Sequence, residues 1–217
     1  RIELVGWDQD EYKVDLKYSI NAETPEEAEE IKDDMCKITQ KDDLLKIETS
    51  SFVKGGVSIR AYIPKELKAN IKLRSSNGRI GLSNLKTEGD YDIKTSNGRI
   101  ELGDLRANYI EAITTNGRIE VEDYAAQEIK LKSSNGSIYL DGLCNETVIE
   151  TSNGTISAYP YISKKGHMDL KTTNGKIKVI LKNPETAVDV DAQTSMGKIT
   201  LEVPDLVYQE KIDRSWY

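Results

Sequence analysis

Thr95-Ser96-Asn97-Gly98-Arg99-Ile100-Glu101-Leu102 is followed, nineteen residues on, by Thr114-Thr115-Asn116-Gly117-Arg118-Ile119-Glu120-Val121. Two hydroxyl residues followed by Asn-Gly recur along the chain, with the amide at Asn77, Asn97, Asn116, Asn135, Asn153 and Asn174. Thr194-Ser195-Met196-Gly197 is a degenerate seventh copy, and the spacings run from 18 to 22 residues. A repeat of this length points to an architecture before any single residue is interpreted.

Apolar residues keep register with the tetrad. Three positions after the Asn stand Ile80, Ile100, Ile119, Ile138, Ile156 and Ile177, with Ile199 after Met196. Five after it stand Leu82, Leu102, Val121, Leu140, Ala158, Val179 and Leu201. Four before it come Leu73, Ile93, Ala112, Leu131, Ile149, Leu170 and Ala192; six before it come Ile71, Tyr91, Ile110, Ile129, Thr147, Met168 and Val190. Eight after it, Leu85, Leu105, Tyr124, Leu143 and Tyr161 form a column that lapses at Lys182 and Pro204. Alternation on both sides of an Asn-Gly corner reads as two short strands per unit. Asn-Gly between strands is also a strong hairpin signal, so an antiparallel meander is the competing arrangement. A meander has no need for the same columns at the same offsets in seven copies. A parallel β-solenoid does, because each strand pairs with its equivalent one coil on and like stacks on like. The reading is an all-β solenoid of about seven coils.

The Asn column has a structural role in such a stack. Asn and Gly accept the left-handed backbone that a sharp corner is expected to need. Stacked Asn side chains bond to one another, and the preceding Ser and Thr satisfy corner backbone groups. A catalytic residue is rarely repeated seven times.

The first 64 residues lack the tetrad. Ile2–Trp7, Tyr12–Ile20, Leu44–Thr49 and Val57–Ile63 read as strands, and Ser51–Gly56 as a loop in place of a corner. Thr24-Pro25-Glu26-Glu27 starts a helix, with Thr as N-cap, Pro in the first turn and a capping-box Glu. The helix is expected to run to about Met35 and to bury Ala28, Ile31 and Met35. Residues 1–64 are thus expected to form a cap of antiparallel strands and one short helix that leads into the first coil. Residues 65–204 hold the coils, and 205–217 form a C-terminal cap or a tail. Uncovered sheet edges recruit other chains, which is why ends need covering.

Composition excludes several classes. The chain has 217 residues, a net charge of −7, one His and two Cys. Its acidity argues against a general nucleic-acid binder, which needs a basic face. One His excludes multi-His metal sites. No apolar run approaches the roughly 18 residues of a membrane-spanning helix. Cys36 and Cys144 read as ordinary thiols more readily than as a disulfide. The hydrophobic content of 37% is thin for this length but suits a narrow solenoid core. The chain opens at Arg1 with no Met and no recognisable signal segment, which reads as a processed or engineered fragment.

Gly6-Trp7-Asp8, Ala28-Glu29-Glu30, Val57 through Pro64 (VSIRAYIP) and the repeated Thr-Ser-Asn-Gly-Arg-Ile carry a family resemblance over essentially the whole chain. The chain resembles the adhesin-like family of bacterial and archaeal β-solenoid domains of unknown function. The resemblance implies a right-handed, mostly parallel β-solenoid, a hand that agrees with the chirality of parallel crossovers. It implies no enzyme activity and no particular ligand, and it favours an extracytoplasmic or membrane-tethered setting over a cytoplasmic one.

Two residues after each Asn stand Arg79, Arg99, Arg118, Ser137, Thr155, Lys176 and Lys198. In a solenoid these share one row, about 4.8 Å apart from coil to coil. Arg79, Arg99, Arg118, Lys176 and Lys198 are the candidate stripe for an anionic polymer such as an acidic polysaccharide. The competing reading is a solvated face neutralised by Glu101, Asp104, Glu111, Glu120 and Glu122. Asp90, Asp92, Glu111, Asp169, Asp189 and Asp191 are scattered by offset and match no Ca²⁺-type repeat. His167 reads as a loop His. Tyr161 is expected in the core, and Tyr139 and Tyr159 outside it, where Tyr159-Pro160-Tyr161 could stack on sugar rings. These features point to a non-catalytic surface, scaffold or adhesion module without cofactor or metal, monomeric, whose partner is an anionic polysaccharide or another surface protein. The alternative is a polysaccharide-binding or carbohydrate-active protein that uses one solenoid face. End-to-end polymerisation is a third reading, disfavoured by the atypical ends.

Overall fold

A computed structural model describes residues 1–41, 44–49, 55–163, 165–183 and 187–203. Pro204, the tail from Asp205 to Tyr217 and residues 51–54 of the expected loop lie outside these. The N-terminal elements are β1 (Ile2–Trp7), β2 (Lys13–Ile20), α1 (Pro25–Met35), β3 (Cys36–Lys41), β4 (Leu44–Thr49), β5 (Gly55–Pro64) and β6 (Glu66–Leu67). The coils follow as β7 (Ile71–Ser75), β8 (Ile80–Thr87), β9 (Asp90–Thr95), β10 (Ile100–Thr114), β11 (Ile119–Ser133) and β12 (Ile138–Thr151). They continue as β13 (Ile156–Tyr161), β14 (Gly166–Thr172), β15 (Ile177–Ile180), β16 (Val188–Thr194) and β17 (Ile199–Glu202).

The coils stack as a parallel β-solenoid, as the columns require. After the corner, Ile80, Ile100, Ile119, Ile138, Ile156, Ile177 and Ile199 face one another in successive parallel pairings. Before it, Ile71, Tyr91, Ile110, Ile129, Thr147, Met168 and Val190 do the same. Nearly all of these are fully buried in the middle coils, so the core is a stack of identical layers. In those coils the two expected strands are one: β10 and β11 each run 15 residues from corner to corner, and β12 runs 14.

In three successive coils one residue resets the alternation. Asn84, Asp104 and Asp123 have φ of 57°, 50° and 50°, the left-handed region that Asn and Asp enter more readily than most residues. Each sits seven after its corner Asn, so the eighth residue (Leu85, Leu105, Tyr124) points inward. The next coil is one residue shorter. There Gly142 is nearly extended at φ 159°, and the register shifts between Glu122 and Tyr124. Strict alternation then carries Leu143 outward and Cys144 inward. Leu143 and Tyr161, both expected in the core, are 37% and 46% exposed for this reason, while Cys144 and Ile162 take the buried places.

The N-terminal strand enters the stack itself. β1 is parallel to β5 on one side and to β8 on the other, with Ile2 opposite both Ile59 and Ile80. The Ile column is therefore nine residues deep. Gly6 is required at the crossing, since a Cβ there would overlap the carbonyl of the left-handed Asn84. The Asn84 side chain in turn donates to the Gly6 carbonyl at 2.7 Å.

β2 closes this end, antiparallel to β5. α1 begins at Thr24, whose Oγ1 accepts the Glu27 N–H at 3.2 Å, and Glu27 accepts from the Glu23 N–H at 2.8 Å. Met35 is fully buried, while Ala28 and Ile31 are half-buried. β3, which the sequence pattern did not announce, pairs with β4 as a separate antiparallel ribbon. Among the described residues no helix is long and apolar enough to cross a membrane.

Candidate functional site

The corner rows form a hydrogen-bonded lattice. Asn97, Asn116, Asn135, Asn153 and Asn174 each donate from Nδ2 to the Oδ1 of the Asn one coil back, at 2.7–2.8 Å. Asn77 is the first acceptor, and Met196, 73% exposed, stands where the ladder would continue. The first hydroxyl residue of each tetrad points inward. Thr114 Oγ1 accepts the Gly117 N–H at 3.2 Å and donates to the Gly98 carbonyl one coil back at 3.1 Å. Ser133 repeats this with Gly136 and Gly117, and Thr151, Thr172 and Thr194 donate to Gly136, Gly154 and Gly175. The corner glycines do not take positive φ, contrary to the sequence expectation. Glycine is needed for a different reason: a Cβ at Gly98, Gly117, Gly136, Gly154, Gly175 or Gly197 would overlap the carbonyl of the glycine beneath it.

The basic row is continuous in backbone terms. Ile80, Ile100 and Ile156 N–H groups donate to the carbonyls of Arg99, Arg118 and Lys176, and Ile177 to that of Lys198. Arg1 extends it, since its carbonyl accepts from Ile59 while Ile2 donates to Arg79. The charges are largely paired. Arg79 and Arg99 both face Glu101, Arg118 faces Glu120 at 3.7 Å, and Arg1 and Arg60 flank Glu3 at 2.9 and 2.7 Å. The Arg60 hydrogen bond leads in holding the Glu3 carboxyl below its ordinary range. Ser137 and Thr155 separate these arginines from Lys176 and Lys198, for which no ion pair exists among the described residues. Gly81 and Gly103 leave a shallow hollow of about 370 Å³ between Arg79, Arg99, Glu101 and Glu122.

The strand before the corner carries a second ion-pair network. Asp92 pairs with Arg74 and Lys94, Glu111 with Lys94 (2.7 Å) and Lys130 (3.7 Å), Lys132 with Glu150 (2.7 Å) and Lys171 with Asp169 (2.9 Å). Burial works to raise the Asp92 pKa, but hydrogen bonds from Arg74 and Lys94 outweigh it and leave it low. Burial, helped by Glu111 and Glu128, pushes Tyr109 up to about 12. An open groove of about 750 Å³ runs along this face over Thr115, Lys132, Ser134, Lys171 and Gln193. His167, expected in a loop, lies in β14 and sits beside Asp189 at 3.2 Å, and the acidic residues named in the sequence are distributed over several coils. Among the described residues no three His, Cys, Asp or Glu side chains are grouped to hold a metal ion.

Aromatic side chains interrupt the charged face at one place. Tyr139 and Tyr159, expected outside the core, are half-buried against each other, with ring centroids 5.4 Å apart. Lys182 Nζ lies 5.1 Å from the Tyr161 ring and 2.5 Å from Asp141 Oδ1. Cys36 and Cys144 are free thiols; burial pushes Cys144 up to about 11, so it is neutral and enclosed.

These arrangements hold coils together and present flat, patterned faces. No curated protein matches the chain, and no solved structure matches it. The Toastrack DUF4097 family model matches residues 3–216, which takes in the inserted first strand as well as every coil. That match accounts for the β-solenoid part of the sequence resemblance and is silent on adhesion. The chain belongs to the Toastrack DUF4097 family, β-solenoid domains of unknown function.

Proposed function

We propose that the chain is a non-catalytic β-solenoid module, a stiff scaffold or adhesion-type surface that holds a partner on one face. The supporting observation is where its repeated polar groups go. The Asn row, the inward Ser and Thr row and several ion pairs, such as Lys94–Glu111 and Lys132–Glu150, bond to the neighbouring coil. Side chains committed to one another in this way form a pre-ordered surface, which lowers the entropy a partner must lose on binding. The module works as a monomer in an extracytoplasmic or membrane-tethered protein, a setting supported by the family resemblance; fractionating cells that express the full-length gene product tests it. Incubation with neutral and acidic polysaccharides tests the non-catalytic reading, with no release of reducing or unsaturated ends expected. Turnover that disappears when a face residue is substituted overturns it.

A second reading, glycan binding without turnover, is favoured by the tyrosines that break the charged face near Asp141 and Lys182. An acidic polymer on the Arg79–Arg99–Arg118 row is less favoured, because those cations already have carboxylate partners.

A further inference from the structure

We propose that Tyr139, Asp141, Leu143, Tyr159, Tyr161 and Lys182 form a binding site for a neutral glycan chain, an inference that rests on the glycan-binding reading above. The site exists because the repeat is broken twice at the same place. Tyr139 stands opposite Glu120 in the ladder, and Tyr159 opposite Asp141, itself opposite Glu122. In two adjacent outward columns an acid is thus followed by a ring, and the two rings meet diagonally across neighbouring coils. The one-residue shortening at Gly142 then turns Leu143 and its ladder partner Tyr161 from the core to the outside. Clustered exposed apolar side chains mark interaction surfaces, and Tyr adds a polar tip to an apolar ring.

The polar groups in the patch define its ligand. Asp141 and Lys182 are ion-paired at 2.5 Å, so the site has no net charge on a chain of net charge −7. Neither an anionic nor a cationic polymer gains net attraction from that pair. Sugar hydroxyls both donate and accept, which the Asp141 carboxylate and the Lys182 ammonium match side by side. Sugar rings also present C–H faces to stack on tyrosine. Lys182 is held over Tyr161 and tied to Asp141, so donor, acceptor and ring are fixed before a ligand arrives.

The test is calorimetric titration of the whole chain with cello-, xylo-, manno- and maltohexaose and with an oligogalacturonate of the same length. At least one neutral hexaose is expected to bind, with affinity unchanged between 50 and 500 mM NaCl and lowered about tenfold or more by Tyr159→Ala or Tyr161→Ala. Arg99→Ala is expected to leave it within twofold. Tyr161 is exposed, so its variant should keep the native circular dichroism and melting midpoint. The inference is overturned if no neutral hexaose binds, if only the oligogalacturonate binds, or if the tyrosine variants bind normally. Self-association of the chain that Tyr161→Ala abolishes would assign the patch to a protein partner and overturn it too. Turnover of a bound hexaose would refute the non-catalytic reading while leaving this site in place.

Discussion

Replacing Thr114 by Val tests whether the inward hydroxyl row holds the coils together. Thr114 is 2% exposed and serves two backbone groups, the N–H of Gly117 in its own coil and the carbonyl of Gly98 in the previous one. Valine keeps the shape and removes both bonds. Each buried group left unsatisfied costs about 1–3 kcal/mol, so Thr114→Val should destabilise by about 2–5 kcal/mol. Thr114→Ser keeps the hydroxyl, as Ser75 and Ser133 do in their coils, and should cost only about 1 kcal/mol for the lost methyl. Thr115, the exposed neighbour, is the control, and Thr115→Val should stay within about 0.5 kcal/mol of the parent. Equilibrium urea unfolding reads all three, through midpoint shifts at constant m-value. A Thr114→Val protein as stable as the Thr115→Val protein would refute the bridging role.

Other consequences are as direct. Gly117→Ala places a methyl against the Gly98 carbonyl and should destabilise by more than the roughly 1 kcal/mol range of ordinary glycine substitutions, read in the same urea assay; a neutral result would mean the coils can part there at no cost. At Asp123, with φ of 50°, Ala should cost about 1 kcal/mol whereas Gly should be neutral; equal effects would remove the left-handed residue as the cause of the register reset. Gly6→Ala should strip hydrogen-exchange protection from Ile2–Trp7 before the coils lose theirs, and unchanged protection would contradict the close approach to Asn84. The Cys144 thiol, raised from 9.0 to about 11, stays protonated in the fold where the unfolded chain ionises. Its contribution is complete below pH 9 and is lost as pH rises to about 11, at up to roughly 1.4 kcal/mol per pH unit. Cys144→Ala should flatten the alkaline decline by about one proton, and parallel declines would disprove the link.

The periodic part of the fold was legible because each coil repeats the same local problem. Ile100 and Ile119 announce one buried column by offset alone, and no long-range inference is needed. The offset logic failed at Leu143 and Tyr161, because a deletion in a period-two pattern inverts every side chain beyond it. The signal was present seven after the first three corner Asn: Asn84, Asp104 and Asp123 suit a left-handed backbone, and Gly142 ends the series. The insertion of β1 left a clearer trace. Arg1-Ile2-Glu3-Leu4 repeats Arg99-Ile100-Glu101-Leu102 residue for residue, yet the missing Asn-Gly before it hides the match. The glycan patch was half visible. Tyr159-Pro160-Tyr161 stood out, but its neighbours Asp141 and Lys182 are 41 residues apart and meet only through the stacking of coils.

The place of β1 also governs the order in which the molecule is assembled. Fifty-seven residues separate Ile2 from its partner Ile59, and seventy-eight separate it from Ile80. A solenoid ordinarily grows by adding each rung to the one just completed. Here β1 precedes both of its partners in the chain and has no rung to join until those two distant ones exist, and closing loops of that length is slow. The coils can zip from the middle toward the C-terminal side, while β5 waits for a keystone that precedes its neighbours in the chain and is set after them. The slot between β5 and β8 is thus a vacancy during every folding event, and the kinetics of filling it should set how long sheet edges remain open to other chains.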